Sequence, residues 1–275
     1  MKIARVFPKR NKATPVDELV FTTEPPRLGL PEIDEVHVSV AFTWDMPRAE
    51  WLVHQWEVLG VPVKIGGPYF NKPDVPDDRP FIPGMYVKHG YVMTSRGCPN
   101  HCWFCKVGPL RELEIKDGWN ILDDNLLSCS EEHIRDVFEM LKRQQNKPAF
   151  TGGLEAKRLK DWHCNLLASI KPQTMYFAYD TADDYEPLAE AGKKLIKHGF
   201  KPSNHQMCCY VLIGYERDTY EKAEKRLTET MKAGFMPFAM LYRDPTGEFR
   251  KDWKPFQREW LRQRIVATKM KEYWK

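Results

Sequence analysis

The sequence predicts an α/β fold: a parallel sheet with crossover helices, preceded by a small β-α-β module. Two observations carry this reading. Val36, Val38, Val40 and Phe42 alternate with His37, Ser39 and Ala41 in a period of two, and a helical period follows at once. Beyond residue 80, strand-like and helix-like segments then alternate to the end of the chain with the regularity that crossover connections require.

In order, Ile3 to Phe7 is the first candidate strand, followed by a polar, proline-bearing stretch. After the Val36 strand, Asp45 and Pro47 open a helix whose Ala49, Leu52, Val53, Trp56 and Leu59 share a face. Gly60 stops it, and Val61 to Ile65 resumes extended structure. A proline-rich bridge, Pro73 to Pro80, separates this module from the rest, which places a boundary near Pro80.

Tyr91 to Ser95 forms the next strand and leads into a cysteine-rich loop. Trp119 to Leu122 is a strand, and Ser130, with Glu131 and Glu132 behind it, starts a helix carrying Ile134, Val137, Phe138 and Leu141. Pro148 to Phe150 runs into Gly152-Gly153. A helix through Leu159, Leu166, Leu167 and Ile170 leads to the strand Met175 to Tyr179, and another through Leu188, Ala191, Leu195 and Ile196 ends at Gly199. Gln206 to Ile213 is a strand, Asp218 caps the following helix, and Phe235 to Tyr242 is the last strand. The expected division is 1–80, 81–248 and a C-terminal amphipathic helix over 249–275.

The chain has 275 residues, 42% hydrophobic and 12% aromatic, enough for one sizeable core and a small extra module. Lys and Arg exceed Asp and Glu by 42 to 38, a mild balance that demands no polyanionic partner. Seven cysteines, an odd number, and no charged-then-apolar leader argue against a secreted disulfide protein and for the cytoplasm. No apolar run approaches the roughly 20 residues that span a bilayer, so no membrane partner is expected.

Chemistry concentrates at Cys98, Cys102 and Cys105, whose C-x3-C-x2-C spacing aims three soft thiolate ligands at one point. A closed structural zinc site wants a fourth ligand, from His101 or from farther away, whereas three cysteines on a four-iron cluster leave one iron open to a substrate or cosubstrate. The remaining cysteines, Cys129, Cys164, Cys208 and Cys209, are scattered, and Cys208 and Cys209 point opposite ways on a strand. They read as small buried hydrophobes, with Cys129, close after an acidic triplet, the one to check for an auxiliary cluster.

In this loop, with Phe104 at the aromatic position before the third cysteine, the chain resembles the radical S-adenosylmethionine (radical SAM) superfamily. The resemblance covers roughly residues 85–244. It implies a partial (β/α)6 barrel, a [4Fe-4S] cluster on Cys98, Cys102 and Cys105, and reductive cleavage of S-adenosylmethionine to methionine and a 5'-deoxyadenosyl radical. It also implies an electron donor such as flavodoxin or ferredoxin. The N-terminal module looks like a shortened Rossmann-like domain of the cobalamin-dependent branch. The Asp-x-His-x-x-Gly motif of that branch is absent; the nearest fragment, Asp161-Trp162-His163, has Leu166 where Gly is needed.

Barrel enzymes gather their functional groups at the C-terminal ends of strands. There the resemblance assigns the amino group of the cosubstrate methionine to Asp123, Asp124 and Asn125, an acidic variant of the family's Gly-Gly-Glu. A carboxylate suits an ammonium because the hydrogen bond is charge-assisted. Gly152, Gly153 and Glu155 look more like Gly-Gly-Glu on paper but fall one strand later; they are kept as a second wall, the glycines reading equally well as a tight turn. Asp180 is expected at the ribose hydroxyls and Ile213, within Val211 to Gly214, beside the adenine. The substrate is not legible: a small molecule, a peptide or a nucleotide.

Residues 249–275 hold nine Lys or Arg against three acids, interleaved with Trp253, Phe256, Trp260, Tyr273 and Trp274. This is the basis of the rival reading, a non-catalytic zinc- or cluster-stabilised protein that binds nucleic acid. Because Trp253, Phe256 and Trp260 share a helical face, a helix closing the barrel is preferred. His163, His198 and His205 receive no role.

Overall fold

The structure, a computed structural model, describes residues 1–70 and 81–274. The proline-rich bridge and the boundary near Pro80 lie outside the described residues. The chain divides into two compact units, residues 1–91 with 245–247, and 92–244 with 248–275. The division therefore falls after Tyr91, and the tail belongs with the second unit.

The first unit is a four-stranded parallel sheet in the order β2-β1-β3-β4, made by β1 (Ile3–Val6), β2 (Val20–Phe21), β3 (Glu35–Ser39) and β4 (Val63–Gly66). Helix α1 (Met46–Glu57) forms the expected crossover between β3 and β4. Alternation decides what is buried: Ala4, Val6, Val36, Val38 and Val40 pack with Ala49, Leu52 and Trp56 of α1. Trp56 is wholly buried, which its indole tolerates because Nε1 donates to Thr23 O at 3.0 Å. Strand β2 was not expected; two residues in a polar stretch carry no period to read.

In the second unit a six-stranded sheet has the order β12-β11-β10-β9-β8-β5, made by β5 (Tyr91–Val92), β8 (Asn120–Ile121), β9 (Ala149–Phe150), β10 (Thr174–Tyr179), β11 (Met207–Ile213) and β12 (Met236–Leu241). Strands β8 to β12 pair in parallel. Between β5 and β8 lies a short antiparallel hairpin, β6 (Ser95–Arg96) with β7 (Arg111–Glu112). Helices α2 (Glu131–Lys142), α3 (Asp161–Ile170), α4 (Tyr185–Lys197) and α5 (Tyr220–Lys232) supply the later crossovers. The count of six β/α steps is thus corrected: the first strand is followed by a hairpin, because residues 97–110 are spent on the cysteine loop.

Ser130 caps α2 as expected, its hydroxyl accepting from His133 N. The cap of α5 is Thr219, which accepts from Lys222 N, and not Asp218. Asp218 is drawn inward to accept from Gly214 N and Arg226 instead. The tail forms two helices, α6 (Lys254–Trp260) and α7 (Gln263–Met270), where one was expected. The non-helical Arg262 between them re-aims the chain, so that Val266 and Met270 bury along with Trp253 and Trp260. Among the described residues no helix is long and apolar enough to cross a membrane.

Candidate functional site

The cysteine loop grows out of the β6-β7 hairpin. Gly97, at its root, has φ +84°, and a Cβ there would sit 2.0 Å from Pro109 O, so a residue without a side chain is required. Cys98 N donates to Gly108 O at 3.0 Å, closing the base of the loop, and Cys105 N donates to Cys102 O at 3.0 Å, folding its tip into a turn.

The Asp123-Asp124-Asn125 triplet divides its labour. Asp123 is buried, its two oxygens accepting from Thr94 N at 2.7 Å, Thr94 Oγ1 at 2.6 Å and Ser95 Oγ at 2.7 Å. Burial pushes its carboxyl pKa up, against the pull of these donors. Asp124 accepts from Gly97 N at 2.8 Å. Both carboxylates thus hold the root of the cysteine loop. Asn125 is the member that turns to the thiols, with Nδ2 3.3 Å from Cys98 Sγ and 2.7 Å from Glu155 Oε2.

Glu155 also accepts from Arg158 Nε at 2.7 Å and from Ser128 Oγ at 3.4 Å. Burial works to raise its pKa, but hydrogen bonds from Asn125, Arg158 and Asn100 hold it below the ordinary value. An ionised carboxylate only accepts, so the amide of Asn125 must present its NH2 to Glu155. Asn125 Oδ1 is then left buried with no partner, an acceptor in want of a donor.

The Gly152-Gly153 pair has a steric reason to exist. A Cβ on Gly152 would meet Asp123 O at 2.1 Å and one on Gly153 would meet Asp124 O at 2.4 Å. Gly153 N donates to Asp123 O at 2.8 Å. The ends of β8 and β9 approach too closely for side chains, and that approach carries Glu155 to Asn125.

On the far side, Asp180 follows β10 and accepts from Leu212 N at 3.1 Å. Burial, with the Asp184 carboxylate beside it, raises its pKa to about 7. Ile213 is wholly buried and belongs to the core. Phe104 is half-buried and lies edge-on to Trp103, with ring centres 5.3 Å apart. Trp103 in turn reaches Tyr215, just past β11, at 5.5 Å and Tyr242, just past β12, at 5.4 Å.

Cys98 is half-buried, whereas Cys102 and Cys105 are exposed. Partial desolvation of the Cys102 sulfur, with the thiols of Cys105 and Cys98 and the carboxylates of Asp180 and Asp184, raises its pKa. Among the described residues, no three His, Cys, Asp or Glu side chains are gathered to hold one metal ion. A four-iron cluster makes a different demand, since each thiolate bonds its own iron. The donor set fits such a cluster: three thiols on one short loop, with an amide donor against one sulfur.

Burial raises the thiol pKa of Cys129 and of Cys164 to about 11 and that of Cys208 and Cys209 as well, which disfavours the thiolate a metal would want. His163 is buried, its Nδ1 accepts from Lys160 N at 3.0 Å at the start of α3, and burial lowers its pKa to about 4.

Sequence reasoning missed Thr94 and Ser95, which fix Asp123, and the ring contacts of Trp103. The signal for the first was present as two hydroxyl residues just before the loop. An aromatic residue shortly after each of the last two strands hinted at the second. Fold and site together define an α/β protein with a thiol-bearing loop at the strand ends of its larger parallel sheet. No protein-family model matches the chain, and no curated protein matches it.

Proposed function

We propose that this protein is a radical SAM enzyme in which Cys98, Cys102 and Cys105 hold a [4Fe-4S] cluster. When bound, the cluster supplies the electron that cleaves S-adenosylmethionine to methionine and a 5'-deoxyadenosyl radical. The observation that carries the reading is the convergence of the cysteine loop with the Asn125–Glu155 pair: Asn125 Nδ2 lies 3.3 Å from Cys98 Sγ and 2.7 Å from Glu155 Oε2, and Asn125 Oδ1 is left buried without a partner. An ammonium is the donor that such an acceptor and an ionised carboxylate would together bind. In this reading Asn125 and Glu155 hold the methionine amino group, while Asp123 and Asp124 keep the loop in place. Asp180 serves the ribose. Phe104 and the strand end at Ile213 border the adenine, and Gly152 and Gly153 let the two strand ends close up.

The same reading curls the six-stranded sheet into a partial barrel. On a flat sheet β5 and β12 would lie about 24 Å apart. Trp103 leaves the β5 edge on a loop that is folded back on itself, yet it touches residues just past β11 and β12. The rival, a nucleic-acid binder with a basic aromatic tail, has less to stack on than the sequence suggests, because Trp253 and Trp260 are buried while Tyr273 stays exposed.

The test is anaerobic reconstitution with iron and sulfide, then reduction in the presence of S-adenosylmethionine and chromatography for 5'-deoxyadenosine. Wild type should form it and Cys102→Ala should not. Well-reconstituted protein that forms none, or that takes zinc in preference to iron, would overturn the reading. Asn125→Ala should weaken S-adenosylmethionine binding about tenfold or more at unchanged iron content, read by titration of the reduced cluster's electron paramagnetic resonance.

A further inference from the structure

We propose that Trp103 is a positioning residue that ties the tip of the cysteine loop across the strand ends, clasped between Tyr215 and Tyr242. Its catalytic consequence rests on the function proposed above; the clasp itself does not. Trp103 lies between two of the three cysteines and is 55% exposed, a costly place for a large ring unless its contacts are used. Those contacts are two tilted or edge-on ring pairs, at 5.5 Å to Tyr215 and 5.4 Å to Tyr242, in the range where aromatic pairs gain beyond area burial.

Both partners are firmly seated. Tyr242 N donates to Ile213 O at 2.9 Å, which fixes it to the end of β11. The Arg226 guanidinium lies 5.3 Å from the Tyr215 ring centre. Arg226 is itself buried, donating to Leu212 O at 2.9 Å and to Asp218 Oδ2 at 2.8 Å. The root of the loop has Asp123 and Asp124; among the described residues of the tip, Trp103 reaches the opposite strands through two rings. A tip free to swing would carry Cys102 and Cys105 away from Cys98 and from the Asn125–Glu155 pair.

Hydrogen exchange of the full-length, cluster-free, reduced protein, followed by mass spectrometry of peptides covering 97–110, tests the clasp. Exchange there should quicken about tenfold in Trp103→Ala, stay near wild type in Trp103→Phe, and quicken less in Tyr215→Ala. The double variant Trp103→Ala/Tyr215→Ala should be no faster than Trp103→Ala, because the two act through one contact. A Trp103→Ala rate equal to wild type would overturn the proposal. So would equal quickening in peptides covering 207–213, which would mean general loosening instead of a released tip.

On reconstituted protein, Trp103→Ala should lose the change that S-adenosylmethionine makes in the cluster's resonance, with Trp103→Phe restoring it. An unaltered response in Trp103→Ala would remove the positioning role. A wild type that takes up no cluster would sink the enzyme reading and leave the exchange result to judge the clasp.

Discussion

The root and the tip of the cysteine loop are held by opposite kinds of force. At the root, Asp123 and Asp124 meet Thr94, Ser95 and Gly97 in a hydrogen-bonded network with Asp123 fully inside. At the tip, Trp103 meets two tyrosine rings and remains half in water. A buried network is all or nothing, because each lost partner strands another group away from water. A half-exposed ring contact can be weakened in steps. The protein thus fixes where the loop begins and leaves adjustable where it ends.

The largest effect should come from breaking the root. Asp123→Ala strands the Thr94 amide and the hydroxyls of Thr94 and Ser95 without their acceptor, and should cost about 4 kcal/mol in urea unfolding. Asp123→Asn keeps one acceptor oxygen and should cost about half as much; equal costs would mean that the charge, and not the geometry, matters at the root. Next comes Gly152→Ala, whose Cβ would collide with Asp123 O. It should lose about 2 kcal/mol by the same measurement, with the shift felt at the root.

Toward the tip, Asp180 gives a pH signature. Its unfolded carboxyl ionises near 3.8 and its folded one near 7, so between these values the folded state holds a proton that the unfolded state has released. Stability should fall as pH rises through this window and level off above it. Asp180→Asn should flatten that slope, a change of a few degrees in Tm from pH 4 to pH 8. A slope of equal size in the variant would place the titrating group elsewhere. The smallest effect belongs to the tip itself. Trp103→Ala should cost under about 1.5 kcal/mol in global stability, although it frees the loop, because the contact is half in water. A loss as large as that of Asp123→Ala would erase the contrast between root and tip.

Much of this organisation could be read in the sequence where a period or a cap repeats a local rule. Val36, Val38 and Val40 announced β3, and Ser130 announced α2. Gln206 to Ile213 announced β11 because residues facing both sides of a strand in a covered sheet are apolar. Two-residue strands such as β2, β6 and β7 have no period, so the hairpin that replaces the first crossover helix was invisible. Within the site, the three thiols and both candidate acidic stretches were legible as residue types. Their roles were not. Asp123, Asp124 and Asn125 are consecutive and polar, and only the strand end decides that two face the loop root while the third faces Cys98. Glu155 was seen as the second wall, yet its hydrogen bond to Asn125 depends on how closely two glycines let the backbones approach.

The larger sheet adds its strands in sequence order, from β5 at one edge to β12 at the other. For a chain leaving the ribosome, each new strand meets a partner that has already been made, and its pairing closes only a short loop. The sheet can therefore assemble during synthesis one step at a time. The contact of Trp103 with Tyr242 waits until the last strand has emerged. A nascent chain stalled before that point would carry the cysteine loop rooted but not yet clasped, so the final stretch of synthesis is the stage at which its thiols stand most open.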